Sequence, residues 1–254
     1  MKAFSKLVLG LAFTLALTTT AIRAAPVAFA GTVQFGTGNQ FSITNSGGTV
    51  TIVGNGKDYF TFLMPGTPFS APVLADFVMS ATSTSTGSCQ STLTCSNGDG
   101  FSEQGFSGTF SFKVDSGLYM GMNLLSGTFN VDAVPSNSGG KFGSTIGTTG
   151  GSFSGSQSSS NPNGVVLNSD FLVFAGTTVE TAAWALSALD PSFKVNPTVN
   201  GITLPMDGVT FASSTGATFS SEPLPGLVPE PATLVLMGTA LAGLGLVRRK
   251  YFRR

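Results

Sequence analysis

Phe41 to Met64 reads FSITNSGGTVTIVGNGKDYFTFLM, and the fold class turns on it. Phe41 and Ile43 alternate with polar residues, Asn45-Ser46-Gly47-Gly48 is turn-forming, and Val50-Thr51-Ile52 resumes the alternation. Asn55-Gly56 is the dipeptide most suited to a tight hairpin, so a second reversal is expected before Tyr59–Met64, where Phe60, Phe62 and Met64 share a face. Side chains of a strand point to opposite faces at every step, so this spacing predicts half-buried antiparallel strands.

Outward from this stretch the pattern continues. Pro65-Gly66 and Pro68 break it, and Val73 to Ala81 restores it. Phe106, Phe110, Phe112 and Val114 fall on one parity with Gly108 in the gap. Between Tyr119 and Ala133 the apolar parity switches at Leu124/Leu125, which predicts a β-bulge. Val165-Val166-Leu167 and Phe171–Phe174 read as short, fully buried strands, and Val209 to Phe219 as one last alternating strand. Val179 to Leu189 satisfies helical spacing, yet Trp184, Leu186 and Ala188 suit a strand equally, and the flanking strands favour the latter. Ser136 to Gly164 is mostly Gly, Ser, Thr and Asn with isolated Phe142 and Phe153, either a long loop or a pair of Gly-rich edge strands. There is no internal repeat. The expectation is an all-β protein, an antiparallel sandwich of jelly-roll or immunoglobulin-like kind, with residues 25–221 as its body and 222–227 as a linker.

The ends differ from the body. Lys2 and Lys6 precede an apolar core, Leu7 to Leu17, followed by small residues, which is the layout of a secretory signal peptide over residues 1–24. Cleavage is placed after Ala24, with Ala25 and Ala30 as the other candidate points. At the C-terminus Val228-Pro229-Glu230-Pro231 is held extended by its prolines. An uncharged run, Thr233 to Val247, follows, and Arg248, Arg249, Lys250, Arg253 and Arg254 act as a basic stop. Fifteen helical residues span roughly 22 Å against about 30 Å of hydrocarbon, a short transmembrane helix. In this order, at the chain end, the three parts of segment 228–254 resemble the PEP-CTERM sorting domain of bacterial surface proteins.

That resemblance implies recognition and cutting near Val228–Pro231 by an exosortase, a membrane-embedded cysteine transpeptidase. It also implies export by a Gram-negative-type cell, often one that makes extracellular polysaccharide. The protein is then anchored through residues 233–247 before processing and resides in the cell envelope, on the surface or in the extracellular matrix. Pro229, Glu230 and Pro231 are recognition residues for another enzyme. With export, Cys89 and Cys95 are expected to form a disulfide, which shapes a small loop and adds at most about 2–3 kcal/mol. A redox pair or metal thiolates would need other spacing or further ligands.

Composition narrows the body's function. From Ala25 to Leu227 four lysines face eleven acids, 4 minus 11 or −7, with no arginine, which argues against nucleic acid. The chain has no histidine, which removes Ser-His-Asp and Cys-His activation and the usual zinc sites. A carboxylate pair remains, with Glu103 and Glu180 as nominal candidates for a hydrolase. A sugar-binding module would use exposed aromatics, and Trp184, Tyr59 and Tyr119 lie in strand-like stretches that predict burial. Asn97-Gly98-Asp99-Gly100 has the character of a calcium loop but lacks the closing Glu at the twelfth position. The expected function is a non-enzymatic exported protein without cofactor or metal. The alternatives are a polysaccharide- or calcium-dependent adhesive module, and a carboxylate-only hydrolase.

Overall fold

The computed structural model describes residues 25–227, apart from 47–48, 84–86, 90–100, 131–138, 146–148, 158–161, 176, 178, 191–201, 204–208 and 213–215. Strands account for all the regular structure among the described residues. In chain order they are β1 (Val27–Gln34), β2 (Phe41–Ser46), β3 (Thr49–Phe62), β4 (Val73–Ser83), β5 (Gly87–Cys89), β6 (Phe101–Val114), β7 (Asn123–Phe129) and β8 (Gly139–Thr145). They continue as β9 (Gly151–Ser156), β10 (Val165–Asn168), β11 (Leu172–Val173), β12 (Val179–Asp190), β13 (Ile202–Thr203), β14 (Val209–Ala212), β15 (Ala217–Glu222) and β16 (Gly226–Leu227). The signal-peptide segment 1–24, Cys95, Asn97–Gly100, the side chains of Cys89 and Glu103, and the tail 228–254 lie outside the described residues.

The strands close on themselves. Antiparallel pairing runs β1–β3–β4–β6–β8–β9–β12–β15 and back to β1, an eight-stranded barrel. The expected two-sheet sandwich is therefore corrected to one closed sheet. Long strands make this possible by changing neighbours along their length. The first half of β6 pairs with β8 and its second half with β7, while β12 pairs with β15 and then with β14.

Alternation decides which side faces in. On β4, Ala75, Phe77, Met79 and Ala81 are buried, while Asp76, Val78, Ser80 and Thr82 face out. An apolar interior and a largely polar wall are the inverse of a lipid-spanning barrel. Rings fill the interior. Trp184 lies 5.0 Å from Phe110, 5.5 Å from Phe219, 5.6 Å from Phe129 and 5.9 Å from Phe153, between ring centroids. Pairs at these distances add to the area they bury, at about 0.5–1.5 kcal/mol each.

Several sequence expectations hold. β12 is a strand, and Phe106, Phe110, Phe112 and Val114 are all buried. The parity switch is a bulge: Phe112 pairs with Leu125 and Lys113 with Asn123, so Leu124 is the extra residue and both leucines point inward. Others do not hold. Asn55-Gly56 makes no hairpin, because β3 runs straight through it in unbroken register with β4. A Cβ on Gly54 would lie 2.8 Å from the Phe41 and Phe77 rings, and one on Gly56 would lie 3.0 Å from the Gln40 side chain. Here glycine makes room for neighbours and turns nothing. Gly139–Thr145 and Gly151–Ser156 are neither loop nor edge: β8 and β9 form a central wall, paired on both sides, with Phe142 opposite Phe153. Val209–Phe219 is not one strand but contains β14 and the start of β15, which begins after Gly216, whose φ of 78° and whose Cβ position, 1.5 Å from the Thr32 carbonyl oxygen, admit no side chain. β10 and β11 are not fully buried, since Val166 and Val173 face solvent. Residues 119–122 belong to the β6–β7 turn and not to a strand.

Candidate functional site

The nominal carboxylate pair is not brought together. Glu103 is in register with Gly143, Gly143 with Ser152, and Ser152 with Ala185, so Glu103 lies level with Ala185, three strands away. Glu180 is five residues further along β12, roughly 16 Å at about 3.3 Å per residue. Two carboxyls that cooperate in glycoside hydrolysis stand about 5–9.5 Å apart.

Glu180 has a structural position. Its Oε2 accepts a hydrogen bond from the Leu167 amide at 2.6 Å, and its Oε1 accepts one from the Thr177 hydroxyl at 2.5 Å. Among the described residues β10 pairs with β7 along one edge, and the Glu180 carboxylate accepts from the Leu167 amide on the other. Burial raises the Glu180 pKa above its ordinary value, against the two hydrogen bonds that lower it. Asp58 is buried in the same manner. Gln40 Nε2 donates to its Oδ1 at 2.5 Å and the Thr32 hydroxyl also bonds to it, yet desolvation dominates and raises its pKa. Sequence reading overlooked this trio, because Asp58 stands between exposed Lys57 and Tyr59 and looks like one more surface acid.

The aromatic candidates separate. Trp184 is 1 % exposed, and its Nε1 finds no hydrogen-bond partner among the described residues. It cannot serve as a sugar platform. Tyr119 is half-buried among Phe69 and Phe171, at 5.2 and 5.7 Å. Tyr59 differs from expectation: it lies on the outer wall, 42 % exposed, edge-on to exposed Phe35 at 5.3 Å and in register with exposed Val33. On the same wall Lys57 pairs with Asp115 and stands 3.8 Å from Asp76, an exposed ion group that contributes little to stability. A shallow recess of about 210 Å³ between β8, β9 and β12 is lined by Lys141, Ser154, Ser156 and Thr181, smaller than ordinary small-molecule pockets.

The remaining feature is where the chain leaves the barrel. Gly226 and Leu227 pair with Val173 and Leu172, and the Leu227 side chain packs over Gly66. The expected linker 222–227 is therefore held at its end by β11. The Pro-flanked acidic, apolar, then basic tail has the layout of a C-terminal sorting signal. Residues 227–250 match the PEP-CTERM protein-sorting motif, which marks exported, membrane-associated proteins recognised by exosortases in general. No curated protein and no solved structure matches the chain.

Proposed function

We propose that this is a non-enzymatic exported protein, an aromatic-filled barrel delivered to the cell surface or extracellular matrix, whose tail an exosortase-type membrane transpeptidase recognises at Val228–Pro231 and processes. The observation that carries the reading is the sorting motif at residues 227–250, which begins within the short strand β16. The distance between Glu103 and Glu180, and the packed interior, support a body without a catalytic centre. Phe29 and Ala30 are fully buried and Ala30 is paired on both sides, so cleavage after Ala30 would remove part of the core. Removal of residues 1–24 leaves β1 whole.

Intact mass of the protein from its native envelope and medium tests this. The expected species begins at Ala25 and ends near Val228–Pro231, lighter by two hydrogens for the Cys89–Cys95 bond. A mature species that still carries Arg253-Arg254 would overturn the sorting reading. A second reading, polysaccharide binding, is favoured by one observation, the exposed Tyr59–Phe35 pair. It expects Tyr59→Ala to abolish retention on matrix polysaccharide while the unfolding midpoint stays unchanged.

A further inference from the structure

Large apolar side chains are exposed at one end of the barrel. Leu118 is 91 % and Met120 71 % exposed on the β6–β7 turn, and Leu63, Val173, Leu224 and Leu227 are 39–57 % exposed around it. The pairing places them together. Leu63 donates its amide to the Phe29 carbonyl near the start of β1, Asp115 donates to the Leu74 carbonyl at the start of β4, and β11 holds the exit strand β16. Beneath them Phe62, Phe69, Tyr119 and Phe171 close the barrel, with ring centroids 5.0–6.2 Å apart. Leu118 and Met120 are the two most exposed of the large apolar side chains among the described residues, and a patch built around them marks a contact surface.

The occupant follows from the chain beyond Leu227. Only Val228 to Ala232 separate it from the apolar run that begins at Thr233. Fully extended, that stretch reaches at most about 20 Å. Once residues 233–247 are in a bilayer, the apolar end is held within that distance of the hydrocarbon, with the headgroup layer between. The geometry points to this end of the barrel docking on the lipid surface before the tail is processed, with Leu118 and Met120 inserted among the headgroups. The inference rests on the membrane reading of the tail. Of the acids at this end, Asp115 pairs with Lys57 and Asp170 accepts from the Asn123 amide. No cationic cluster is present there among the described residues, so the contact is apolar and suits zwitterionic lipid. Docking also brings Val228–Pro231 to headgroup depth, within reach of a membrane-embedded protease.

The test uses the full chain in phosphatidylcholine vesicles, with Leu118→Trp as reporter and Thr82→Trp, near the far end of β4, as control. The buried Trp184 supplies a constant background that is subtracted. Insertion to about 5–10 Å predicts a drop of about twofold in the emission of the Leu118→Trp reporter when the lipid is brominated near the carbonyl, and no drop for the Thr82→Trp control. Protein that co-floats with vesicles while the Leu118→Trp reporter stays unquenched overturns the docking inference alone. Protein that fails to float overturns the membrane reading of the tail, and the docking inference with it. Equal quenching of reporter and control would show a barrel without a preferred face and would also overturn it.

Discussion

Two pairs of strands invert the rule that apolar sequence means burial. β8 and β9 carry one large apolar side chain each, Phe142 and Phe153, yet they are paired on both edges and pack against the centre of the core. β10 and β11 read Val-Val-Leu-Asn and Leu-Val, yet each pairs on one edge and turns a valine to solvent. The volume above the Gly-rich wall is supplied from elsewhere. A Cβ on Gly155 would meet the Phe129 ring at 2.7 Å, and one on Gly140 would meet the Phe106 carbonyl oxygen at 2.7 Å. The neighbours' ring size, and not the strand's own hydrophobicity, decides burial there.

Four substitutions sharpen the contrast. The largest effect is expected from Phe153→Ala, which empties space against Phe129, Phe106 and Trp184 and should cost about 3–5 kcal/mol in urea unfolding. Gly140→Val should follow at about 3 kcal/mol, because its added carbons meet a backbone oxygen that cannot swing away. If both prove mild, the Gly-rich wall is not part of the core and the comparison fails.

Glu180 comes next, since it holds β10 to β12. Its carboxyl titrates at an ordinary 4.5 in the unfolded chain and higher in the folded one, where burial disfavours the charge. Between the two values the folded state keeps the proton and the unfolded state does not. Stability is then fullest below 4.5 and falls as pH rises through the raised folded value. Asp58 shifts in the same direction, with the same sign. Glu180→Gln should keep the acceptor for the Leu167 amide and flatten part of this slope, read from unfolding midpoints across pH; an unchanged slope would remove Glu180 from the account. Val166→Ser is expected to matter least, within about 0.5 kcal/mol, as its side chain already faces water. A loss as large as that of Phe153→Ala would mean the outer face of β10 is covered.

Much of the local structure was legible. Period-two alternation identified β4 and β6, and the parity switch located the bulge at Leu124, because a pleated strand sends every second side chain inward. Where the reading failed, the missing fact was a partner. Asn55-Gly56 carries a turn signal on its own, and only Phe41, Phe77 and Gln40 across the sheet show why glycine stands there. Tyr59 lies in a strand-like stretch, yet it shares the outward parity of Lys57, while Asp58 and Phe60 take the inside.

The chain's covalent order by itself determined the all-β character, the acidic body without histidine and the C-terminal sorting signal, since each rests on residue type and near spacing. Tertiary structure alone decided that one sheet closes into a barrel, that the Gly-rich segment is wall, that Tyr59 is exterior, and that the exit strand is docked among exposed leucines. Closure, burial and exposure depend on contacts between residues far apart in sequence, and a local pattern does not encode them.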